Sequence, residues 1–572
     1  MDASGSSRVL DVAIVGGGVS GIYTGYRLLT GDLTQSPILG GRAAKNGGLR
    51  VAVFEGSQRI GGRLLSAQPP GMPHVSCEMG GMRYVSSQSL ISSLVENDLK
   101  LARHEQIVDD PGNIAYFRGK RLRAAQLQDA GALPYNLDDD ERAWLNQKNT
   151  ASTLMGWGIG KLLPQTRTLQ GAALRAYLQT AAIDGTPLYQ HGFWNLLARG
   201  MSHEAYCLAR DAVGYDCLGA NANALDLIME YFDFTPDVKY YLLDAGYEAV
   251  PWTLEKRFDD AGGEVVRGAW LDGFEAVTLA DGTRGSRLHF HDGSTVDAHA
   301  LVLAMPRRSL ELLRREGPVL GPQAPARVDW LINSVEAFAF DKLFMVYDRP
   351  WWESAGVKQG RSLTDTPIRQ CYYWAVEGKQ AGADPANTNA AIMAYNDVTN
   401  AEFWGGLRGV PLGPHDALAL AHGARHKGPP RARSDAFARK TVRHAGGAVA
   451  PGELARRLRK NWDDHRAPRQ MVAEMHRQLM RLHDLPNAPD PVDAAFMDWT
   501  DDPFGGGVHL WNPGYKSWEV CDEMTQPVAD FPCYICGEAY STTQTWVEGA
   551  LETAEHVLQR RLGLGAPGWL KP

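Results

Sequence analysis

The N-terminal part of the chain passes from an apolar run to a glycine-rich turn and then to apolar positions at helical spacing. The run Val9–Val15 has the length and β-branched content of a buried strand, and it leads directly into Gly16–Gly21. Helical spacing follows over Ile22–Leu29. A second apolar run, Leu49–Phe54, ends on Glu55. This order predicts the opening βαβ unit of a dinucleotide-binding fold.

The remaining pattern divides the chain into helical, β-rich and irregular stretches. Residues 31–48 are rich in Gly, Pro, Asn and Ser, which predicts a surface loop inserted into the βαβ unit. Residues 138–234 have apolar positions at helical spacing and are predicted to be mainly helical, whereas residues 264–290 and 300–305 are predicted to form strands. Residues 408–451 have no clear period, which indicates an extended loop.

The charge balance bears on the class of partner. The chain has 572 residues with 58 Lys+Arg against 66 Asp+Glu, a formal net charge of -8. It therefore offers no electrostatic case for binding nucleic acid or an anionic membrane, and a small-molecule ligand is expected. Residues Met1–Ser7 are polar, and no run of about 18 apolar residues is free of charge, Gly or Pro. We expect no signal peptide, no membrane-spanning helix and a cytoplasmic location.

The cysteines predict neither a disulfide framework nor a metal site. There are seven, an odd number. Cys533 and Cys536 have the spacing of a redox pair or of half a zinc site, but no second pair at zinc spacing accompanies them. We expect instead a buried strand over Phe531–Cys536, with the thiols packed as small apolar groups and no bound metal.

The glycines of the first turn have distinct predicted roles at a cofactor phosphate. Gly16 permits the tight turn, Gly18 lets the backbone approach a pyrophosphate, and Gly21 lets the helix and the strand pack closely. The amides at the helix N-terminus favour the anion. Since a lone motif of this kind is a weak signal, its position between a predicted strand and a predicted helix is what supports it.

Two features after this turn narrow the choice of cofactor. Glu55, at the end of the second strand, is expected to accept a hydrogen bond from a ribose hydroxyl, which favours an adenosine without a 2′-phosphate. In the stretch that follows, Gly61 and Gly62 expose backbone donors, and Arg63 can neutralise phosphate charge. This second motif favours FAD over NAD.

With these motifs the chain resembles the flavin amine oxidase family, which joins the first glycine motif, a strand-terminal Glu and a following Gly-Gly-Arg in one N-terminal block. The segments Tyr534–Ala539 and Trp546–Ala550 resemble the closing FAD motif of that family. The resemblance implies that Gly537 and Glu538 lie along the ribityl and phosphate part of FAD. It also implies a helix that begins near Val547 and directs its N-terminal amides at the flavin C2 carbonyl.

Further stretches extend the resemblance over most of the chain. Leu301–Pro306 is similar to the family's strand ending in Ala-x-Pro, and Gly246–Phe258 is similar to the loop and helix that precede Val266, which is expected at the cofactor. The resemblance implies an α/β fold, α+β overall, with a Rossmann-like FAD-binding domain, a β-rich substrate-binding domain and a helical lid domain. The expected domain boundaries are 1–75, 240–335 and 500–572 for the first, 76–137 and 336–499 for the second, and 138–239 for the third.

One block bears on the substrate. Gly80, Gly81 and Met82 are expected beside FAD and are followed by Arg83. A Gly-x-Met-Arg segment at this point resembles that of the L-amino acid oxidase branch, whose Arg pairs with the substrate carboxylate. An Arg fork matches a carboxylate with two hydrogen bonds, which an enzyme for simple amines would not need. The alternative is that Arg83 contacts the flavin or protein carboxylates.

Two further positions are expected near the reacting atoms by the same resemblance. Cys371–Trp374 resembles the paired tyrosines of the branch, and Tyr372 is expected to donate its hydroxyl to the substrate carboxylate, with an aromatic core pair as the alternative. Asp341–Phe344 resembles the strand whose lysine holds a water near flavin N5, which assigns that role to Lys342. The alternative is a surface lysine whose stem covers apolar surface.

The last expected contacts lie just before the closing helix. Trp546 is expected beside the flavin, with core packing as the alternative, and Thr545 is expected to offer its carbonyl to the substrate amino group. Some amine oxidases attach FAD through a Gly-Gly-Cys segment, but the matching stretch here, Phe504–Val508, ends in valine. We therefore expect non-covalent FAD.

These resemblances together imply an FAD-dependent L-amino acid oxidase. In the expected reaction the neutral amine form passes its Cα hydride to flavin N5, water hydrolyses the imino acid to a 2-oxo acid and ammonia, and O2 reoxidises the flavin to give hydrogen peroxide. The alternatives are a monoamine or polyamine oxidase of the same fold and a non-catalytic flavoprotein. Side-chain preference stays open, because Asp216, Asp226 or Glu230 could meet a basic side chain. A homodimer or higher homo-oligomer is expected.

Overall fold

The computed structural model describes residues 9–233, 238–408 and 451–570. Most of the predicted loop over residues 408–451 lies outside the described residues. The strands of the described part are, in chain order, β1 Leu10–Val15, β2 Val51–Glu55, β3 Ser66–Ala67, β4 Cys77–Glu78, β5 Tyr84–Val85, β6 Arg103–Gln106, β7 Ile114–Phe117, β8 Lys120–Arg123, β9 Ala182–Ile183, β10 Thr186–Pro187, β11 Tyr240–Leu243, β12 Glu264–Arg267, β13 Leu271–Thr278, β14 Arg284–Phe290, β15 Thr295–Leu303, β16 Val335–Phe338, β17 Phe340–Tyr347, β18 Arg361–Thr364, β19 Gln370–Val376, β20 Ala390–Asp397, β21 Asp493–Asp498, β22 Val508–Trp511 and β23 Cys533–Ile535.

Helical spacing predicts α1 and the helices between residues 138 and 234, but about half of the α-helices lie outside the predicted helical stretches. They are, in chain order, α1 Val19–Thr30, α2 Gly40–Asn46, α3 Ser89–Ser93, α4 Asp139–Leu145, α5 Leu154–Leu162, α6 Gly171–Thr180, α7 Phe193–Gly200, α8 His203–Val213, α9 Ala224–Asp233, α10 Ala249–Asp260, α11 Arg307–Glu311, α12 Gly317–Leu320, α13 Ala326–Ile332, α14 Val398–Gly405, α15 Pro451–Asp464, α16 Arg469–His483, α17 Ser517–Met524 and α18 Val547–His556. Among the described residues, no helix has the length and apolar character that crossing a membrane requires.

The first sheet is built from three separate parts of the chain. Its parallel strands stand in the order β12, β2, β1, β15 and β23, and β14 and β13 extend β15 in antiparallel fashion. Every residue of β1 is buried, as expected for a strand covered on both faces of a parallel sheet. On one face, α1 packs against α10 and α18. The predicted βαβ unit and the predicted buried strand at Cys533 are both confirmed.

The predicted surface loop over residues 31–48 is in part wrong, because it contains α2. None of the residues of this helix is buried, so no apolar period marks it in the sequence. The helix ends where Gly47 takes the left-handed conformation, with a φ of 70°. The insertion is therefore on the surface as predicted, but it is partly helical.

A second sheet and a helical layer complete the architecture. The second sheet has the order β21, β17, β20, β19, β18, β7 and β8. Helices α4 to α9 share an apolar cluster with residues of β7 and β8, and their presence confirms the mainly helical prediction for this stretch. Mixed helices and strands around a largely parallel sheet confirm the predicted α/β fold class. The predicted domain boundaries stay a prediction.

Candidate active site

A cavity of about 1420 Å³ lies where the first sheet, the second sheet and the helical layer meet. It opens at the carboxyl ends of β1 and β2, where ligands bind in sheets of this kind. Most of the residues predicted for a cofactor or a substrate line its wall: Gly16, Gly18, Glu55, Gly61, Gly62, Arg63, Gly80, Gly81, Met82, Arg83, Lys342, Gly537, Glu538, Thr545, Trp546 and Val547. Residues from distant parts of the sequence are thus brought to one site.

The glycine turn has the geometry of a phosphate cradle. Gly16 has a φ of 109°, and a Cβ placed on Gly21 would lie 1.9 Å from the Gly16 carbonyl oxygen. Gly21 thus allows the close approach of α1 to β1, as predicted. It does not itself line the cavity. A Cβ on Gly18 would have only the Gly62 Cα, at 3.9 Å, within contact distance. The two glycine motifs thus offer bare backbone to the cavity, which fits the pyrophosphate of a dinucleotide.

Glu55 lies at the cavity edge with its carboxylate held by the backbone. Its Oε2 accepts from the Gly17 amide at 2.7 Å, and its Oε1 accepts from the Ser57 amide at 2.8 Å. Each oxygen retains lone-pair capacity toward the cavity, since a carboxylate has about four acceptor positions. The position suits the predicted ribose contact, which stays a prediction.

Arg63 and Glu538 form an ion pair at the centre of the cavity wall. Arg63 Nη2 donates to Glu538 Oε2 at 2.8 Å, and Glu538 Oε1 accepts from the backbone amides of His509 at 3.0 Å and Thr545 at 2.9 Å. Burial opposes ionisation of Glu538, but the Arg63 charge, together with the charge and hydrogen bonds of His509, holds its pKa well below the usual range. Arg63 is predicted to neutralise the charge of a cofactor phosphate, but Glu538 already neutralises much of the Arg63 charge within the protein.

The N-terminus of α18 faces the cavity. Trp546 caps the helix, and Trp546, Val547 and Ala550 all line the wall. Thr545, just before the cap, has a φ of 73°, which is unusual for a β-branched residue. This backbone is held by the bond from its amide to Glu538. The predicted orientation of a positive helix end toward the cofactor is therefore physically available.

Lys342 is a buried lysine on the cavity side of β17. Its Nζ donates to the carbonyl oxygen of Glu78 at 3.1 Å and to that of Gly80, and it lies 5.1 Å from the centre of the Tyr395 ring. Burial lowers its pKa, which the Glu78 carboxyl opposes and the Arg83 charge reinforces. An ammonium group with a lowered pKa can donate a hydrogen bond to a water molecule and exchange a proton with it. The alternative of a surface lysine is wrong.

Arg83 is almost fully buried at the far end of the cavity. Nη1 donates to Gln106 Oε1 at 2.9 Å, and Nη2 donates to the Tyr372 hydroxyl at 3.4 Å. The guanidinium also stacks over the Tyr240 ring, with its Cζ 4.3 Å from the ring centre. Its Nε has no hydrogen-bond partner among the described residues. These neutral contacts leave the charge available to an anion.

Tyr372 requires a correction. It is buried behind Arg83 and is not part of the cavity wall. Its hydroxyl accepts from Arg83 and donates to Gln370 Oε1 at 3.2 Å, so its proton is already used. Tyr373 faces the opposite side of the strand, where its hydroxyl contacts Ser362 and His483. Tyr372 is thus the inward tyrosine of the pair, but it supports Arg83 instead of donating to a ligand directly.

Sequence reasoning missed several residues at the same end of the cavity. Arg361 lines the wall with its side chain only 13% exposed, and its Nη1 donates to Gln370 Oε1 at 2.8 Å. Tyr215 and Tyr240 line the wall beside it. A hydrogen-bonded chain through Tyr372 and Gln370 therefore links two guanidinium groups. Because β18 comes far after Arg83 in the sequence, no motif marks this neighbourhood.

Four other residues can now be located relative to the cavity. Val266 on β12 does not line the cavity, so the predicted cofactor contact of its side chain is not supported. The residues of this part of the chain that do line it are Ala269–Leu271. Of the three acids that could meet a basic side chain, only Glu230 lines the cavity. Asp216 pairs with Arg369, and Asp226 accepts a hydrogen bond from Ser517.

Comparison with known proteins identifies the family. The model of the family described as flavin containing amine oxidoreductase matches residues 19–395 and 448–559. Aplysianin-A of Aplysia kurodai is 27% identical over 96% of this chain and 90% of its own length, and Achacin of Lissachatina fulica is 24% identical over 97% and 93%. An L-amino-acid oxidase of Mus musculus is 22% identical over 64% of this chain and 52% of its own.

A solved structure shows the same fold. Wild-type putrescine oxidase bound to putrescine has a TM-score of 0.58 and 16% identity over 96% of this chain and 98% of its own. Because the family model matches most of the chain and the cavity has the cradle that a dinucleotide needs, the protein belongs to the flavin-containing amine oxidoreductases.

Proposed function

We propose that the protein is an L-amino acid oxidase, which converts L-amino acids and O2 to 2-oxo acids, ammonia and hydrogen peroxide. The observation that carries this proposal is that Arg83, in the cavity wall, has no carboxylate partner among the described residues. Within the described part of the chain its contacts are an amide oxygen, a hydroxyl and aromatic rings. A buried cation without a carboxylate partner is costly, and a substrate carboxylate would supply the missing charge.

The neighbouring Arg361 strengthens the same argument. It pairs with Asp109, whose side chain is 77% exposed, at 3.3 Å. Beside the ion pair of Lys239 with Glu105, this end of the cavity therefore carries two guanidinium groups against the one exposed carboxylate of Asp109. A diamine would bring its second ammonium group to this end and a simple monoamine would bring no charge there, whereas an amino acid brings its carboxylate.

The chain's own residues then account for orientation. Arg83 would hold the carboxylate, Thr545 would accept a hydrogen bond from the amino group, and the rings of Tyr240 and Trp546 would exclude water around Cα. A bound flavin, FAD by the resemblance of its binding motifs, supplies the hydride acceptor and the reaction with oxygen. Lys342, which is buried on the same wall, would hold a water molecule near flavin N5. Relatives named as L-amino-acid oxidases support the choice of substrate.

Matched substrate pairs test the proposal. Peroxide release is measured for the common L-amino acids, for their D-enantiomers and for the amine that each L-amino acid gives on losing its carboxylate. We expect kcat/KM for several L-amino acids to exceed that of the matching amine by at least about 10²-fold, the effect of one charge-assisted contact of roughly 3 kcal/mol. Equal or faster oxidation of the amines would replace the proposal with an amine oxidase. No bleaching of the flavin by any of these compounds under nitrogen would point to a non-catalytic flavoprotein.

A further inference from the structure

Glu230 is an acid on the cavity wall that the proposed binding of a carboxylate does not use. It stands near the C-terminal end of α9, on the helical side of the cavity. Its Oε1 accepts a hydrogen bond from Thr545 Oγ1 at 3.4 Å. It thus contacts the residue whose carbonyl is expected to meet the substrate amino group.

The charges that act on Glu230 are of its own sign. Asp226 and Asp233 lie on the same helix, and Glu538 faces it from the turn before α18. Cys217 lines the same part of the cavity and is itself under the influence of the Glu230 charge. Within the described residues no basic side chain forms an ion pair with Glu230, so a cationic group of a ligand is free to take that place.

Its titration fits a proton acceptor that works near neutral pH. Burial, followed by the nearby carboxylates, raises the pKa of Glu230 to about 7, although the Thr545 hydroxyl opposes the shift. A base of this strength can be ionised in the free protein and can still hold a proton once one is delivered. Asp226, one helical turn earlier, has a pKa raised to about 6 but bonds to Ser517 away from the cavity. The two acids therefore differ in access to the ligand.

We propose that Glu230 is the general base that takes a proton from the substrate α-ammonium group. In this step an N–H bond of the ammonium breaks, an O–H bond forms on the Glu230 carboxyl, and the electron pair stays on nitrogen. That lone pair would then assist loss of the Cα hydride, for which a bound flavin would supply the acceptor, as the C=N bond forms. The inference rests on the proposed function, since it needs an amino acid held with its carboxylate at Arg83 and its nitrogen at Thr545.

The test compares Glu230→Gln with Asp226→Asn in the flavin-loaded protein. The kcat/KM of an L-amino acid with an uncharged side chain is measured across pH. For Glu230→Gln we expect a fall of about 10²-fold at pH 7 and a recovery at the higher pH at which the substrate ammonium loses its proton in solution. Asp226→Asn should keep the wild-type profile, and both variants should keep wild-type flavin content.

A second readout does not depend on turnover. Infrared difference spectra of the wild-type protein between pH 5 and pH 9 should contain a carboxyl that titrates near pH 7 and is missing in Glu230→Gln. A wild-type pH profile in Glu230→Gln, or a loss confined to L-lysine and L-arginine, would overturn the assignment and leave the amino acid oxidase in place. A wild-type protein that oxidises amines but not amino acids would instead remove the proposed function itself.

Discussion

Arg63 and Glu538, 475 positions apart in the sequence, form a buried ion pair that joins the second glycine motif to the C-terminal motif. The Arg63 side chain is 21% exposed and that of Glu538 only 8%, so solvent screens the pair weakly. The cofactor cavity thus depends on a contact between the two ends of the chain.

Breaking this pair should destabilise the fold. Arg63→Ala leaves the Glu538 carboxylate buried without its arginine partner, which typically costs about 3–5 kcal/mol. We expect a drop of that size in the free energy of unfolding measured in urea. The control is Arg327→Ala, which removes an ion pair with Glu523 whose members are 45% and 41% exposed, and it should cost under about 1 kcal/mol. Equal losses in the two variants would contradict the importance of burial.

The same ion pair should make the free energy of unfolding depend on pH in the acid range. Because the pKa of Glu538 is depressed in the folded state, its contribution is present above the unfolded value of about 4. It is lost as the pH falls through the folded value. Stability of the wild type should therefore decline below about pH 4 more steeply than that of Glu538→Gln, as measured by urea midpoints. Parallel curves would place the acid dependence in other carboxylates.

Replacement of Arg83 should separate amino acids from amines. Loss of one partner from a desolvated charge pair costs roughly 2–5 kcal/mol, so Arg83→Ala should lower kcat/KM for L-amino acids by about 10¹–10³-fold. Flavin content should not change. Arg83→Lys should recover only part of the loss, because an ammonium keeps the charge without the planar fork. Wild-type efficiency in Arg83→Ala would remove the main support for a carboxylate-bearing substrate.

Lys342→Met should act on the chemistry and not on cofactor retention. The buried ammonium is lost while the apolar stem is kept, so flavin should stay bound and either flavin reduction or reoxidation should slow by at least about tenfold in stopped-flow measurements. Lys358→Met, which changes an exposed lysine, serves as the control. If both half-reactions of Lys342→Met keep wild-type rates, the water-holding role belongs to another group.

The flavin should leave the chain intact on denaturation. Val508 stands where some amine oxidases carry an attaching cysteine, so heat or acid should release FAD into the supernatant. Flavin that precipitates with the protein would show a covalent link.

Glu55→Gln should weaken FAD retention by about 1–3 kcal/mol, since a charge-assisted contact to the ribose would be lost. An unchanged dissociation constant of FAD in Glu55→Gln would assign the ribose contact elsewhere.

Local pattern was enough to predict the elements around the first glycine turn. The order strand, glycine turn, helix and strand-terminal Glu55 is encoded in consecutive residues, so β1, α1 and β2 could be placed before the structure. The helix that begins at Val547 was instead predicted from the resemblance to the closing motif of the family. The dihedral angle of Thr545 could not be predicted, because the Glu538 carboxylate that binds its amide also pairs with Arg63, 475 positions earlier in the sequence.

The substrate side was harder because it is assembled from elements far apart in sequence. The placement of Tyr372 behind Arg83, and the presence of Arg361 and Glu230 on the wall, depend on how β18, β19 and α9 pack. No spacing rule relates these elements to one another. The expected homo-oligomer, the cytoplasmic location and the domain boundaries stay predictions.

The position of β23 in the first sheet sets the order in which this protein can mature. Its residues pair with Leu301–Leu303 of β15, and the turn that carries Glu538 follows directly. During synthesis residues 533–538 have to leave the ribosome before this strand can add to the sheet and the cofactor cradle can close. A premature stop before Cys533 would leave the carboxyl end of β15 with an open edge, ready to pair with another chain. Stable loading with flavin should therefore follow the synthesis of residues 533–538, and products truncated before them should go to aggregates or proteases instead of to a partly active enzyme.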